Sequence, residues 1–160
     1  MKKLVSTLLT VTMLVALFAI PVSAYSQEQG NDHLTDLGAS TRLLGYPDDP
    51  WTLANGDYTG TFEIANRVAT NYYYVTETGK IKISVSTESV GSPSLINDAF
   101  QVEFCRRTLT GYSLVDEKDM GRDDSASFTF RNLDSSKKYF FMFSKANDGF
   151  TVSGSFRITD

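Results

Sequence analysis

The chain offers one imidazole, His33, and one thiol, Cys105. A serine or cysteine nucleophile needs a base held rigidly beside it. His33 follows the polar run Ser26-Gln-Glu-Gln-Gly-Asn-Asp32, where a solvated tail residue is the plainer reading. One His and one Cys also exclude the usual zinc ligand sets. Carboxylates remain, and glycoside cleavage needs two of them flanking the bond. Glu63 and Glu103 both fall on outward positions of predicted strands, where Glu ordinarily serves solubility, and their spacing does not bring them together. No catalytic residue and no cofactor is assigned, and the expectation is a protein that is not an enzyme.

Two other groups of residues could hold a ligand. Asp116-Glu-Lys-Asp119-Met-Gly-Arg-Asp123-Asp124 is the densest charge cluster, read as a loop between strands. Calcium takes six to eight oxygens, so Asp116, Asp119, Asp123 and Asp124 are weak metal candidates. Their spacing does not match an EF-hand loop, and Lys118 and Arg122 offset the field, which favours a solvated loop. The second group is aromatic. Alternation sends Tyr73 to one side of a strand and Tyr72 and Tyr74 to the other, so at least one ring is expected on a wet face. Tyr46 and Trp51 precede the domain. Exposed rings stack on sugars and anchor protein contacts. The competing reading has Trp51 pinning the arm to the domain and the tyrosines packing across strands.

The elements that must position these groups follow from patterning. Met1-Lys2-Lys3, the apolar stretch Leu8 to Ile20, Pro21 and Val22-Ser-Ala24 have the layout of a secretory leader. Cleavage after Ala24 is expected, with a product outside the cytoplasmic membrane and no stable membrane insertion. The apolar stretch is shorter than the roughly 20 residues of a spanning helix. The formal charge of the 160 residues is −4, and losing Lys2 and Lys3 makes the product more acidic. An acidic surface disfavours nucleic acid as a partner. Residues 25–49 are polar and broken by Gly38, Gly45 and Pro47, which predicts a flexible arm.

From residue 50 to 160 the apolar period is two. Tyr58, Phe62 and Ile64 alternate with Thr59, Thr61 and Glu63; Ile81, Ile83 and Val85 alternate with Lys82, Ser84 and Ser86. Further strands are expected at Tyr72–Val75, Phe100–Cys105, Tyr112–Val115, Ser127–Arg131, Tyr139–Phe143 and Phe150–Ile158, the last with a bulge at Gly154. Short strands at this spacing predict an all-β, antiparallel two-sheet sandwich of about eight strands. One face of each sheet should be wet. Phe130 and Phe141 are the central core choices, Glu77-Thr-Gly-Lys80 turns one strand into the next, and Asn147-Asp-Gly149 predicts a hairpin turn. Cys105 is expected half-buried on its strand, the sharper reading being an intermolecular disulfide.

Leu133, six residues before Tyr139 at the entry to a late strand, resembles the tyrosine corner of fibronectin type III-like domains. Gly56-Asp-Tyr-Thr-Gly-Thr-Phe62, Tyr72-Tyr-Tyr74, Gly79-Lys-Ile-Lys-Ile-Ser-Val85 and Phe128 to Phe143 run in an order similar to bacterial pre-peptidase C-terminal domains. That resemblance spans roughly residues 54–159. It implies a secreted, non-catalytic accessory module, with Tyr139 as a structural residue. Lys137-Lys138 stand where the family usually has Gly before the corner Tyr, so no ligand site is carried over. The function expected is surface binding to an extracellular glycan, wall component or exported protein. The alternatives are an accessory subunit that pairs through an edge strand, and a carboxylate hydrolase.

Overall fold

The computed structural model describes residues 31–35, 50–90 and 100–160. The expected leader, its cleavage site and Tyr46 lie outside the described residues. Strands are β1 (Asn31–Thr35), β2 (Pro50–Thr52), β3 (Tyr58–Ile64), β4 (Arg67–Ala69), β5 (Tyr73–Val75), β6 (Ile81–Val90), β7 (Phe100–Thr108), β8 (Gly111–Met120), β9 (Ser125–Phe130), β10 (Tyr139–Lys145) and β11 (Thr151–Thr159). The first sheet runs β1-β3-β11-β6-β9, and the second runs β2-β5-β10-β7-β8 with β4 also on β10. The chain is an all-β sandwich, as its period-two patterning requires.

Inward residues of both sheets mesh through their rings. Phe62 of the first sheet stacks on Phe143 of the second at 4.6 Å, and Phe130 stacks on Phe104 at 4.2 Å. Phe141 is fully buried beside Phe104. Such offset pairs add to plain apolar burial. Tyr139 closes one end: its hydroxyl donates to the Asp134 carbonyl at 3.4 Å and accepts from the Asp134 amide at 3.0 Å. Leu133, beside it, packs half-buried against the core.

Several expectations are corrected. The sheets are mixed, because β1 lies parallel to β3 and β2 parallel to β5. Both are short strands laid along existing strands, not returned by hairpins. Part of the expected arm is thus β1, whose Leu34 is buried in the core. Asn147-Asp-Gly149 is no hairpin turn: it carries the chain from β10 to β11, from the second sheet to the first. Gly149 has the positive φ expected of it, 83°, but turn chemistry does not dictate which sheet comes next. Glu77–Lys80 likewise connects β5 to β6 across the layers. There is no bulge at Gly154, which pairs in unbroken register with Phe62 and Thr87. The irregularity lies in β8, where Leu114 pairs Cys105 and Asp116 pairs Phe104, leaving Val115 as the extra residue. Nor is the second sheet's outer face wet throughout. Tyr73, Cys105, Phe140 and Met142 form a second buried cluster there, with Ala69 and Tyr112 against it.

Candidate functional site

The expected aromatic platform is not on the surface. Trp51 is 4% exposed, and Tyr73 and Tyr74 are 0% exposed. Trp51 sits edge-on to Tyr58 and Tyr72 at 5.0 and 5.7 Å, and its indole nitrogen donates to the Gly56 carbonyl at 3.2 Å. Tyr72 packs half-buried against the same core. Tyr73 faces outward, but Phe140 meets it edge-on at 5.8 Å and Arg107 lies over its ring. Rings this large stabilise more by packing than by waiting for a ligand.

The expected acidic loop is divided. Asp116 and Asp119 belong to β8, while Asp123 and Asp124 lie in the turn after it. Asp116 pairs with Lys118 at 2.9 Å, and that bond holds its carboxyl below the usual range. Asp119 accepts from Gln101, which also donates to Glu117. Among the described residues, no three His, Cys, Asp or Glu side chains are placed to hold a metal. The carboxylates weighed for hydrolysis are also apart. Glu63 faces outward from β3 in the first sheet, and Glu103 faces outward from β7 in the second. Glu103 is buried against Arg67 and accepts from the Ser144 hydroxyl at 2.9 Å. Burial works against the Arg67 charge, but Glu103 and Tyr112 beside it together outweigh burial and hold the guanidinium above its ordinary value.

Cys105 is fully buried, not half-buried. Burial, with Glu103 adding, pushes its thiol up to about 12. It therefore stays protonated and out of reach of another chain's thiol.

What the fold does gather is hydroxyl groups. On the first sheet's outer face the register aligns His33 of β1, Thr61 of β3, Ser155 of β11, Ser86 of β6 and Ser125 of β9 in one row across all five strands. The next row holds Thr59, Arg157, Ser84 and Ser127. Ser84 bonds Ser127 and Ser86 bonds Ser125, each at 2.8 Å, and His33 Nδ1 lies 2.9 Å from the Thr61 hydroxyl. Small side chains in the middle leave a trough, seen as adjoining depressions of about 510 and 810 Å³ that share Thr61, Ser86, Ser125 and Ser155. Glu63, Glu88, Asp123 and Asp124 rim one end, and Arg157, bound to Asp57, stands toward the other.

Of that row, the sequence points to His33 only as the one imidazole, and to Thr61 and Ser86 only as outward strand positions. The signal was there: Thr59-Gly-Thr61, Ser84-Val-Ser86, Ser125-Ala-Ser127 and Ser153-Gly-Ser155 repeat a hydroxyl, small or apolar, hydroxyl triplet on neighbouring strands. Solubility alone would be served by Lys and Glu at such positions.

No family model and no curated protein matches the chain. Among solved structures, a crystal structure of a Yersinia pseudotuberculosis-derived mitogen is similar over 66% of this chain and 85% of its own. Its identity is 10% and its TM-score 0.38, a likeness too distant to bear on function.

Proposed function

We propose that the chain is an exported, non-catalytic binding module that holds a polyhydroxylated ligand, an extracellular glycan or wall component, in the trough of the first sheet. The single observation behind this reading is the row His33, Thr61, Ser155, Ser86 and Ser125. A serine or threonine hydroxyl donates once and accepts twice, so such a row matches a chain of sugar hydroxyls without prescribing one sugar. Each exchanged bond nets about 0.5–1.5 kcal/mol. With no stacking ring, affinity should lie near the millimolar range and gain from repeated units along a polymer. Export rests on the leader pattern of residues 1–24. Kinship with secreted pre-peptidase C-terminal and fibronectin type III-like modules is part of the same proposal, as is the absence of nucleic acid and inserted membrane among its partners. Affinity electrophoresis of the full chain through gels of neutral polysaccharides tests it. At least one polymer should retard the protein, and Ser86→Arg with Ser155→Arg should abolish the shift. Retardation by none would reject the reading.

A second reading follows from β8. The large apolar side chains exposed among the described residues are Leu109, Leu114 and Val115, on β8 and the turn before it. Asp116 to Asp119 and the bulge at Val115 guard one half of this edge strand; Tyr112 to Leu114 is unguarded and suited to pairing with a strand of another exported protein. Co-purification that Leu114→Lys abolishes would favour this reading.

A further inference from the structure

The trough is not electrically even. One step beyond the hydroxyl row, the register sets Glu63 of β3, Ser153 of β11 and Glu88 of β6 in a further row across three adjacent strands. Phe62, Ile64 and Thr87 beside the two glutamates are buried, so alternation turns Glu63 and Glu88 outward, onto the face that Thr61 and Ser86 share. The two rows lie two residues apart, about 6.7 Å along the strands.

Neither glutamate is neutralised: the side chains of Glu63 and Glu88 have no hydrogen bond or ion pair among the described residues. The cations at that end of the sandwich are engaged elsewhere. Lys145 is buried, its Nζ donating to the Ala65 carbonyl at 2.7 Å, the Ala146 carbonyl at 2.6 Å and Asp148 at 3.0 Å. Arg122 is buried against the same Asp148, and Arg67 faces Glu103 on the second sheet. On the open face, Arg157 stands two rows away and is bound to Asp57. Spacing then decides which cation suits the pair. Strands lie about 4.8 Å apart, so Glu63 and Glu88, on either side of β11, start about 9.6 Å apart. One small ion would have to draw both side chains over Ser153, and no third ligand stands with them among the described residues. Separate cationic groups carried on one backbone need no such convergence.

We propose that the trough selects, among glycans, one whose sugars bear free amines, with ring hydroxyls along Thr61, Ser155, Ser86 and Ser125 and ammonium groups at Glu63 and Glu88. The inference rests on the trough reading and adds its specificity. The hydroxyl row favours a glycan over a basic peptide, which would find carboxylates but nothing to match the serines. Each ammonium–carboxylate bond is charge-assisted. At an exposed site one such pair contributes little, and repetition along the polymer supplies the rest.

Calorimetric titration of the full chain with a chitin hexamer and with its fully deacetylated counterpart tests it, at about pH 6, above the glutamate range near 4.3. The two differ only in the amine. The deacetylated hexamer should bind about tenfold tighter at low salt, the order expected of two exposed ion pairs, and the advantage should vanish at high salt. Glu63→Gln with Glu88→Gln should remove the advantage and leave binding of the acetylated hexamer unchanged, which also shows that the variant is folded. Asp116→Asn with Glu117→Gln, the same charge change on the second sheet, should preserve it. Ser86→Arg with Ser155→Arg should abolish binding of both. Equal binding of the two hexamers, loss of the advantage in the Asp116 and Glu117 control, or a lysine hexamer bound as tightly as the amino sugar would overturn this inference. Binding of neither hexamer would overturn it too, and the trough reading stands or falls separately by whether any neutral polysaccharide retards the protein.

Discussion

Gly154 occupies an inward position between Val152 and Phe156, where alternation calls for a large side chain. A Cβ built there would lie 2.5 Å from Phe62 Cζ and closer still to the Ser86 carbonyl oxygen. Carbon atoms prefer about 3.5–4.0 Å, so Gly154→Ala needs roughly an ångström of movement. Neither neighbour has it to give. The Phe62 ring is held between Phe143 at 4.6 Å and Phe100 at 5.5 Å. The Ser86 carbonyl belongs to β6, which is paired on both sides. Overpacking of this kind costs about 1–3 kcal/mol, and two fixed neighbours put this site at the upper end. For a domain of this length, that is a fall in melting temperature of about 10 °C. Thermal and urea unfolding, followed by Trp51 fluorescence, would measure it. Ser153→Ala, next door and outward, should change stability by less than about 0.5 kcal/mol. Phe62→Leu, which opens space at the ring, should cost less in the Gly154→Ala background than alone. A Gly154→Ala protein melting within about 2 °C of the parent would refute the reasoning from overpacking.

Tyr139→Phe should cost about 1 kcal/mol through the lost bonds to Asp134, read as a lower urea midpoint at unchanged slope. The Cys105 thiol should resist an aromatic disulfide reagent at mildly alkaline pH until urea unfolds the chain; stoichiometric labelling of the folded protein would contradict its burial. Asp148 is bound by Arg122 and, at 3.0 Å, by Lys145, and Arg122 chiefly holds its carboxyl well below the usual range. A lowered folded value stabilises above the unfolded value, near 4, and that stabilisation is lost as pH falls below it. Asp148→Asn should therefore lower the urea midpoint at neutral pH, and the gap from the parent should close on acidification.

How legible the fold was depends on how many faces of a strand are buried. The Ile81-Lys-Ile-Ser-Val85 segment has one wet face, and its alternation located β6 directly. In β10, Tyr139 to Phe143 are all buried, so period two vanishes; reading Tyr139, Phe141 and Phe143 as one face was sound, but Phe140 and Met142 gave no sign of a second cluster. Leu34 is the single buried apolar residue seen in β1, too little signal for a strand. Trp51 illustrates the limit for sites: an aromatic near a domain boundary reads the same whether it awaits a sugar or plugs a core, and only neighbours brought from distant positions, here Tyr58 and Tyr72, decide. The trough was hidden for a related reason. Each Ser or Thr is unremarkable in its own strand, and inter-strand register alone lines them up.

The strand at the centre of each sheet comes late in the sequence. Sheet centres are taken by β11 and β10, which follow the other described strands in the sequence. Before them, β3 and β6 have no shared neighbour, and β7 lacks the partner that joins it to β5. A nascent chain halted before Tyr139 is thus a set of separate ribbons with exposed apolar flanks. Neither sheet closes until these two strands have been made, and pairings this distant in sequence close slowly. Until β10 and β11 have been made, such a chain remains threadable through a narrow passage.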